Sequence, residues 1–296
     1  MSSYRPRRSV LYMPGSNPRV LEKGKTLAAD CLIFDLEDAV AIDAKAQARK
    51  LVCQAVRDGG YGSREIVIRI NQLDSEFWEK DLEAAAAAGP EAILVPKVET
   101  VADVATVRER LVAAKARPDL VLWVMMESPL AVLYAKEIAA EAAADAYPLE
   151  AFVMGTNDLA KATHAELGGD RMAMLAWLST CVAAARAYDL DIIDGVFNEF
   201  RNVAGLVAEC RQGLALGMGG KTLIHPSQIE PCNAVFSPRE EEVVWARKVI
   251  AALEAPENRA KGAISVEGTM VEQLHADMAR RTIAISDAID EMVTEN

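Results

Sequence analysis

The stretch Cys31–Val40, CLIFDLEDAV, places three carboxylates directly behind an apolar run. The apolar residues are nearly continuous rather than alternating with polar ones, which is typical of a parallel strand covered on both faces. The acids at its end, Asp35, Glu37 and Asp38, are costly to desolvate. A metal ion, a set of hydrogen bonds or bulk water must therefore compensate them.

Apolar runs of the same kind recur along the chain and alternate with segments whose apolar spacing is near 3.6, as in helices. The predicted strands are 9–13, 31–36, 66–70, 92–95, 120–126, 151–154, 192–196 and 222–224. The predicted helices include 43–57, 81–88, 101–114 and 171–187. Eight strand–helix units, with no dividing linker rich in Pro, Gly or Ser, predict an α/β fold, a (β/α)8 TIM barrel.

The C-terminal part of the chain does not continue this repeat. We expect residues 1–235 to form the catalytic barrel and residues 236–296 to form helices and a lid segment. Ser237 is a predicted N-cap ahead of three glutamates, and a last amphipathic helix is predicted from about Val271. The polar stretch between them, ENRAKGAISVEGTM, suits a lid or an arm on a neighbouring subunit.

Composition and charge exclude several classes of protein. A net charge of −12 argues against nucleic acid as a general partner. No apolar run reaches the roughly 18 residues of a membrane span. The first residues, MSSYRPRR, lack the apolar region of a signal peptide, so we expect a cytoplasmic protein with no membrane partner. The five cysteines have no CxxC spacing and are predicted to be reduced core residues.

The N-terminal region is basic although the protein is acidic. Its cationic residues are Arg5, Arg7, Arg8, Arg19, Lys23 and Lys25. Two interpretations are open. A basic pocket can hold an anionic group of a substrate, such as a phosphate, whereas charge alone favours a solvated N-terminal arm.

In a TIM barrel the active site lies at the carboxyl ends of the strands. Glu127 and Asp158 follow the predicted fifth and sixth strands as isolated carboxylates. Neighbouring parallel strands lie about 4.8 Å apart, so both carboxylates can converge on one hard cation. A site with few protein ligands suits Mg²⁺. The alternative is a pair of rim acids that are neutralised by Arg or Lys.

Arg69 ends an otherwise apolar strand, so its guanidinium is expected at the mouth of the barrel. There it can fork onto a ligand oxygen, pair with Asp35 or Glu37, or do both. Lys97 is a conceivable Schiff-base lysine, but a nearby arginine and metal make a metal-stabilised enolate the simpler proposal. His225 in IHPSQ is interpreted as a turn-stabilising residue, and no HExxH, GxGxxG, Walker A or GxSxG motif is present.

A series of short motifs resembles one known family. In chain order they are RRSVLYMPGSNPRVLEK, DLEDAV, IRIN, LVPKVE, MESPLA, GTNDLA, GKTLIHPSQI and GAISVEGTMVE. Over about residues 7 to 290 they resemble the citrate lyase β-subunit branch of the HpcH/HpaI aldolase superfamily, which includes malyl-CoA, methylmalyl-CoA and citramalyl-CoA lyases. The resemblance implies a (β/α)8 barrel, a homotrimer or dimer of trimers, and Mg²⁺-dependent chemistry on a C–C bond beside an acyl thioester.

The resemblance also implies roles for individual residues. Glu127 and Asp158 match the family's metal ligands, and Arg69 matches the arginine that contacts the reacting oxygens of the substrate. Positions that match contacts to the substrate or its CoA portion are Tyr12, Lys23, Asn157, Ile224 and His225. That match supports the phosphate interpretation of the basic N-terminus, although Asn17 stands where malyl-CoA lyase carries an arginine.

The acids of the opening stretch then take a supporting role. Glu37 and Asp38 are predicted to accept hydrogen bonds from metal-bound water, or to orient Arg69 and Lys97. Asp35 faces the opposite side of the strand from its neighbour, and we interpret it as structural.

Glu272 departs from the pattern of the family. The family's lid, contributed by a neighbouring subunit, commonly has an aspartate where GTMVEQ has Glu272. In the lyases that carboxylate exchanges a proton with the acetyl methyl carbon. Glutamate adds one methylene, and roughly 1 Å of misplacement can cost ~100-fold in rate. Either the lid is shifted to suit, or the enzyme does different chemistry, such as thioester hydrolysis.

Residues and resemblance together predict a Mg²⁺-dependent lyase. It would cleave a 3-hydroxyacyl-CoA such as malyl-, methylmalyl- or citramalyl-CoA into an α-keto acid and acetyl- or propionyl-CoA. Arg69 and the metal would stabilise the developing negative charge, and Glu272 of the next subunit would protonate the carbon. The alternatives are a (3S)-malyl-CoA thioesterase, the citryl thioester lyase subunit of citrate lyase, and an inactive barrel that serves as a binding subunit.

Overall fold

The computed structural model describes residues 4–258 and 261–295. These residues form two compact units. The larger unit spans Arg7–Ala234, and the smaller unit contains residues 4–6, 235–258 and 261–295. Among the described helices, none combines the length and the apolar character that crossing a lipid bilayer requires.

The larger unit is built on a closed barrel of parallel strands, eight within the described residues. The strands are β1 (Ser9–Pro14), β2 (Cys31–Asp35), β3 (Glu65–Arg69), β4 (Ala92–Val95), β5 (Val121–Met126), β6 (Leu149–Met154), β7 (Asp191–Asp194) and β8 (Gly220–Leu223). Each strand pairs with the next, and β8 closes the barrel onto β1. The predicted (β/α)8 barrel is therefore confirmed, and strand ends differ from the predicted ones by at most two residues.

Helices follow the strands around the barrel. They are α1 (Pro18–Gly24), α2 (Lys45–Asp58), α3 (Trp78–Ala88), α4 (Val101–Ala113), α5 (Pro129–Leu133), α6 (Ala135–Ala139), α7 (Thr156–Thr163), α8 (Leu175–Ala187), α9 (Val203–Leu216) and α10 (Ile229–Phe236). The largest shift at a predicted helix start is in α8, which begins at Leu175 rather than 171. Arg171 has a left-handed φ of 54°, and a 3-10 turn lies between it and the helix.

The interior of the barrel is a packed apolar core. Its buried residues are Val10, Cys31, Ile33, Val67, Ala92, Leu94, Trp123, Met125, Ala151, Val153 and Ile193. Successive side chains of a strand point to opposite faces, so alternate residues fill the interior while the others pack under the helices. All five cysteines are buried, as expected for core residues.

Two arginines of the basic N-terminal region close the amino end of the barrel. Arg7 donates through Nε and Nη2 to both oxygens of Glu65, at 2.7 and 2.8 Å, and also pairs with Glu150 and Asp191. Its guanidinium lies 4.9 Å from the centroid of the Trp123 ring. Arg7 is therefore neither part of a solvated arm nor available to a phosphate at the opposite end.

Arg8 is used in the same way. Its Nε and Nη2 donate to the two oxygens of Asp30, each at 2.8 Å, and its backbone N–H adds a third bond at 2.8 Å. Both interpretations of the basic region are wrong for Arg7 and Arg8. The reason is topological, because residues that directly precede a barrel strand lie at its amino end, away from the site.

The smaller unit contains two helices and a hairpin. These are α11 (Glu240–Glu254), β9 (Ala263–Val266), β10 (Thr269–Glu272) and α12 (Gln273–Glu295). Its core is formed by Ala246, Val249, Val266, Val271 and Ala279. The hairpin was not predicted, since exposed residues interrupt its apolar pattern and its turn residues are Glu and Gly rather than Asn-Gly or Asp-Gly.

The predicted N-cap of α11 is wrong. The helix begins at Glu240, three residues beyond Ser237, and Arg239 is its N-cap residue. The carboxylate of Glu242 accepts the backbone N–H of Arg239 at 2.8 Å, which satisfies one of the free donors at the helix start. The three predicted glutamates do occupy the first turn.

Candidate active site

A cavity of about 320 Å³ opens at the carboxyl ends of the barrel strands. The predicted site residues in its walls are Tyr12, Asp38, Arg69, Asn157, Asp158 and Ile224. They come from segments far apart in the chain, and the closed strand order brings them together. The position is the one at which TIM barrels carry their active sites.

Arg69 and Asp35 form the rigid base of this cavity. They end the paired strands β3 and β2 in register. Nε and Nη2 of Arg69 donate to the two oxygens of Asp35 at 2.7 Å each, and the backbone N–H groups of Glu37 and Ala39 donate to the same oxygens. Burial alone would raise the pKa of Asp35, but Arg69 holds it below its ordinary value. Hydrogen bonds therefore compensate the first acid of the opening stretch.

The aromatic ring of Tyr12 supports the flat face of the same guanidinium. The centroid of the ring lies 4.8 Å from Cζ of Arg69, a cation–π contact. Burial raises the pKa of Tyr12 well above its ordinary value, so the hydroxyl keeps its proton. Arg69 is thus fixed by a carboxylate at its edge and a ring at its face.

Glu37 approaches the remaining side of Arg69. Its Oε2 lies 2.9 Å from Nη1 of Arg69. Within the described residues, however, this buried oxygen receives no bond with hydrogen-bond geometry. Burial raises the pKa of Glu37 to about 8, and the charge of Arg69 opposes that rise only in part. Glu37 therefore keeps an acceptor atom to spare beside the guanidinium.

Asp38 is the exposed member of the three acids. Its Oδ2 lies 3.5 Å from Nη1 of Arg69, and its side chain is 66% exposed. Glu37 and Asp38 were predicted to orient Arg69 and Lys97, and in the structure both contact Arg69. Lys97 makes its ion pairs with Glu127 and Asp158.

Lys45 holds the loop that carries these acids, and no sequence pattern predicted this role. Its Nζ donates to the carbonyl oxygens of Leu36 at 2.8 Å and Glu37 at 2.6 Å. Lysine at the start of a helix is common on protein surfaces, whereas this one is buried. Its contacts depend on the path of the loop and therefore become visible only in the structure.

Glu127 directly follows β5 and is buried. Its Oε1 accepts the backbone N–H of Lys97 at 2.7 Å. Gly155 provides the space for it, because a Cβ there would lie 2.3 Å from Cβ and 2.6 Å from Oε2 of Glu127. Burial raises the pKa of Glu127, and the neighbouring Lys97 ammonium partly opposes this rise.

Asp158 lies in the first turn of α7, on the next strand–helix unit. Nζ of Lys97 lies 2.6 Å from Oδ1 of Asp158 and 3.7 Å from Oε2 of Glu127. The predicted convergence of the two carboxylates on one cation is thus realised with an ammonium group. The structure shows the alternative interpretation, in which a lysine neutralises the two acids. The two carboxylates nevertheless converge on one point, as the metal prediction requires.

The donor set of Glu127 and Asp158 fits a hard divalent cation. Both residues supply carboxylate oxygens and already face one positive group, and the cavity beside them can take water or substrate oxygens. In residues 4–258 and 261–295 no group of three or more His, Cys, Asp or Glu forms a complete metal site. An ion there would complete its coordination with water and substrate, as Mg²⁺ commonly does.

Three other residues that match contacts to the substrate or its CoA portion, Asn157, Ile224 and His225, are hydrogen-bonded within the protein. Asn157 and Asn198 exchange two amide hydrogen bonds, at 2.8 and 3.2 Å. The backbone N–H groups of Ile224 and His225 both donate to Oε1 of Gln228, at 2.9 and 3.1 Å. Nδ1 of His225 accepts the N–H of Ser227 at 3.2 Å, so the ring caps the turn as predicted.

Three other candidates lie elsewhere. Lys23 is exposed near the end of α1 and is not among the cavity walls. Asp194 ends β7, a position at which TIM barrels carry site residues, but it is buried and bonds to Arg171 and Lys221 at 2.8 and 2.9 Å. Glu272 belongs to the smaller unit, where it ends β10 and donates its N–H to Nδ1 of His275 at 3.0 Å.

The chain matches a family model described as HpcH/HpaI aldolase/citrate lyase over residues 8–226. The chain belongs to this family. A second model, described as a C–C bond lyase of the TIM-barrel fold, matches residues 170–288. The matched segment of the first model includes every cavity residue described above, and the family is one of enzymes.

Similar proteins act on CoA thioesters. The chain is 49% identical to a (3S)-malyl-CoA thioesterase of Cereibacter sphaeroides over 96% of both chains. It is 30% identical to the mitochondrial citramalyl-CoA lyase of Homo sapiens, over 97% of this chain and 88% of the relative. Among solved structures it resembles Mycobacterium tuberculosis CitE in complex with magnesium, acetoacetate and coenzyme A, with a TM-score of 0.75 and 29% identity over 94% of this chain and 97% of that one.

Proposed function

We propose that this protein hydrolyses the thioester of malyl-CoA, or of a closely related 3-hydroxyacyl-CoA, to the hydroxy acid and free CoA. The observation that carries the proposal is a cavity lined by both Arg69, held by Asp35, and Asp158, whose partner Lys97 also contacts the buried carboxylate of Glu127. The 49% identity to a malyl-CoA thioesterase supports hydrolysis over C–C cleavage. From the sequence, C–C cleavage was placed first and hydrolysis second, and this proposal reverses that order.

Glu127 and Asp158 would hold Mg²⁺, a proposal supported by the magnesium in the similar M. tuberculosis structure. When bound, the ion supplies positive charge that binds and polarises the oxygens of a hydroxy acid. Gly155 leaves room for Glu127, and the N–H of Lys97 fixes its Oε1.

Arg69 supplies the second positive charge of the cavity. Its guanidinium is fixed before any ligand arrives, by Asp35 at the edge and by Tyr12 at the face. It can therefore stabilise the negative charge that develops on a thioester oxygen without reorganising. Because the guanidinium cannot lose its proton near neutral pH, that charge is always present.

We assign Asp38 as the group that accepts a proton from the attacking water. It lines the cavity, is exposed to water, and lies beside Arg69. Water oxygen bonds to the thioester carbon and the C–S bond breaks. The water proton passes to Asp38 and from there to the departing CoA thiolate, so the products are the free acid and the thiol.

Product analysis tests this proposal. Purified protein with Mg²⁺ and (3S)-malyl-CoA should give malate and free CoA in equal amounts. Free CoA is measured with a thiol reagent, and the acids are measured by chromatography. Glyoxylate with acetyl-CoA would favour the second candidate below. Absence of any turnover with malyl-, methylmalyl-, citramalyl- and citryl-CoA would contradict a role in CoA thioester chemistry.

The second candidate is the C–C lyase, which the 30% identity to a citramalyl-CoA lyase supports. Cleavage needs a group that protonates the carbon of the leaving enolate, and Glu272 of another copy would supply it. Hydrolysis has no such step. The variant Glu272→Ala should therefore abolish glyoxylate formation if the lyase is correct, and leave malate formation within about threefold if hydrolysis is correct.

We also propose that the protein assembles as a homotrimer or a dimer of trimers, with the segment around Glu272 contributed to a neighbouring copy. The family resemblance is the support for this proposal. Light scattering on the purified protein gives the mass directly. A monomer with full activity would contradict both the assembly and the shared site.

A further inference from the structure

The ammonium group of Lys97 contacts Asp158, a residue of the cavity wall, and has no task in the proposed mechanism. Its backbone is in the left-handed region, with φ 53°, so the N–H can reach Glu127 while the side chain turns toward Asp158. The ammonium lies 2.6 Å from Oδ1 of Asp158 and 3.7 Å from Oε2 of Glu127. One residue therefore contacts both proposed metal ligands.

The ammonium and a metal ion need the same oxygens. Mg²⁺ binds carboxylate oxygens at about 2.0–2.1 Å and demands near-octahedral geometry. An ammonium group that keeps its bond to Oδ1 of Asp158 occupies a lone pair of that oxygen and repels the incoming ion at a few ångströms. Both cations cannot hold the two carboxylates in this way at once.

We propose that Lys97 is an internal competitor for the metal site, whose ammonium must leave Asp158 and Glu127 before a divalent cation can bind. The inference rests on the proposed metal site formed by these two residues. Its consequence is twofold. The ammonium keeps the two carboxylates aligned for a cation, and it weakens metal affinity because its displacement is part of binding.

The first test is the binding of Mg²⁺ alone, measured by titration calorimetry without substrate. We expect Lys97→Met to bind Mg²⁺ roughly tenfold more tightly than the unchanged protein, because the competing charge is gone. Lys97→Arg, which keeps a charge, should stay within about threefold. Lys136→Met, a change of the same net charge on the exposed face of α6, is the control and should leave the affinity unchanged.

An affinity of Lys97→Met that is equal to or weaker than that of the unchanged protein would overturn the inference. A protein that binds no Mg²⁺ at all, with or without Lys97, would instead contradict the proposed metal site. The double variant Glu127→Gln and Asp158→Asn identifies that site independently, since it should abolish binding of Mg²⁺ on either interpretation.

The second test uses the unchanged protein and so does not depend on whether a variant folds. Lysine amines are acetylated briefly with and without Mg²⁺, and the label on each lysine is measured by mass spectrometry. Release of the ammonium predicts at least about threefold more label on Lys97 when Mg²⁺ is added, with Lys136 unchanged as the internal reference. Equal labelling of Lys97 in both conditions would contradict displacement.

Discussion

The two ends of the barrel both bury charged side chains, but they do so in different ways. At the amino end, both oxygens of Glu65 accept bonds from Arg7, and both oxygens of Asp30 accept bonds from Arg8. At the carboxyl end, within the described residues, the buried Oε2 of Glu37 lacks a bond of good geometry. The Oε2 of Glu127 has an ammonium only at 3.7 Å.

The difference separates a structural cluster from a functional one. Where every buried carboxylate oxygen is bonded, the charges hold the strand ends together and leave no acceptor for a ligand. Where acceptors are left over beside a fixed arginine, a cation and a substrate can complete the network. The predictions below test this comparison, from the largest expected effect to the smallest.

Arg69→Met should have the largest effect because it damages both structure and chemistry. Removing the guanidinium leaves Asp35 buried without its partner, which should cost about 3–5 kcal/mol in the free energy of unfolding. The folded fraction should also lose kcat/KM by about 10²–10³. Urea unfolding and initial rates measure the two effects, and a stable, fully active variant would remove Arg69 from the site.

Arg7→Met should cost stability alone. Glu65 would stay buried with no guanidinium, so the free energy of unfolding should fall by about 3–5 kcal/mol. Because Arg7 lies at the opposite end of the barrel, kcat/KM per folded molecule should stay within about twofold. A selective loss of activity in the folded variant would break the comparison of the two ends.

Gly155→Ala should reduce activity by displacing Glu127. The new Cβ would lie 2.3 Å from Cβ of Glu127, so one of the two must move. A shift near 1 Å can cost ~100-fold in kcat/KM, and overpacking should cost about 1–3 kcal/mol of stability. Gly168→Ala is the matched control, because its Cβ would meet nothing within 4 Å. Equal rates for the two variants would show that Glu127 needs no such space.

Glu37 predicts a pH dependence of stability in buffer that contains EDTA. Its pKa is about 8 in the folded protein, above its ordinary value of 4.5. Between these values the folded state keeps a proton that the unfolded chain has lost, so stability falls as the pH rises from about 5 to 8. The slope should be on the order of 1 kcal/mol per pH unit at most, and Glu37→Gln should remove it. A parent protein with no such slope would contradict the raised pKa of Glu37.

The barrel and much of the site were accessible to prediction because they follow from local patterns. Continuous Val, Ile and Leu runs mark strands such as Ala92–Val95, and the residue that ends a strand lies at the mouth of the barrel. The pairing of Arg69 with Asp35 was foreseen as one of two options, and the structure shows it.

Other features could not be read from patterns. The contact of Lys97 with Asp158 depends on a left-handed backbone at a non-glycine residue, which sequence gives no means to foresee. The partners of Arg7 come from three different strands, so the charge of the basic residues favoured a solvated arm, and the family resemblance favoured a phosphate pocket instead. Asp194 ends a strand, where side chains of a TIM barrel commonly reach the mouth, yet its side chain bonds to buried Lys221.

The most direct test of the central claim compares the same substitution at the two ends of the barrel. We predict that Glu127→Gln lowers kcat/KM by about 10³ or more while the free energy of unfolding changes by less than about 1 kcal/mol. Glu65→Gln should do the reverse, with a loss of about 3 kcal/mol of stability and near-normal activity per folded molecule. A Glu127→Gln variant that keeps its activity, measured as release of free CoA from malyl-CoA, would contradict the assignment of the carboxyl-end cluster as the functional site.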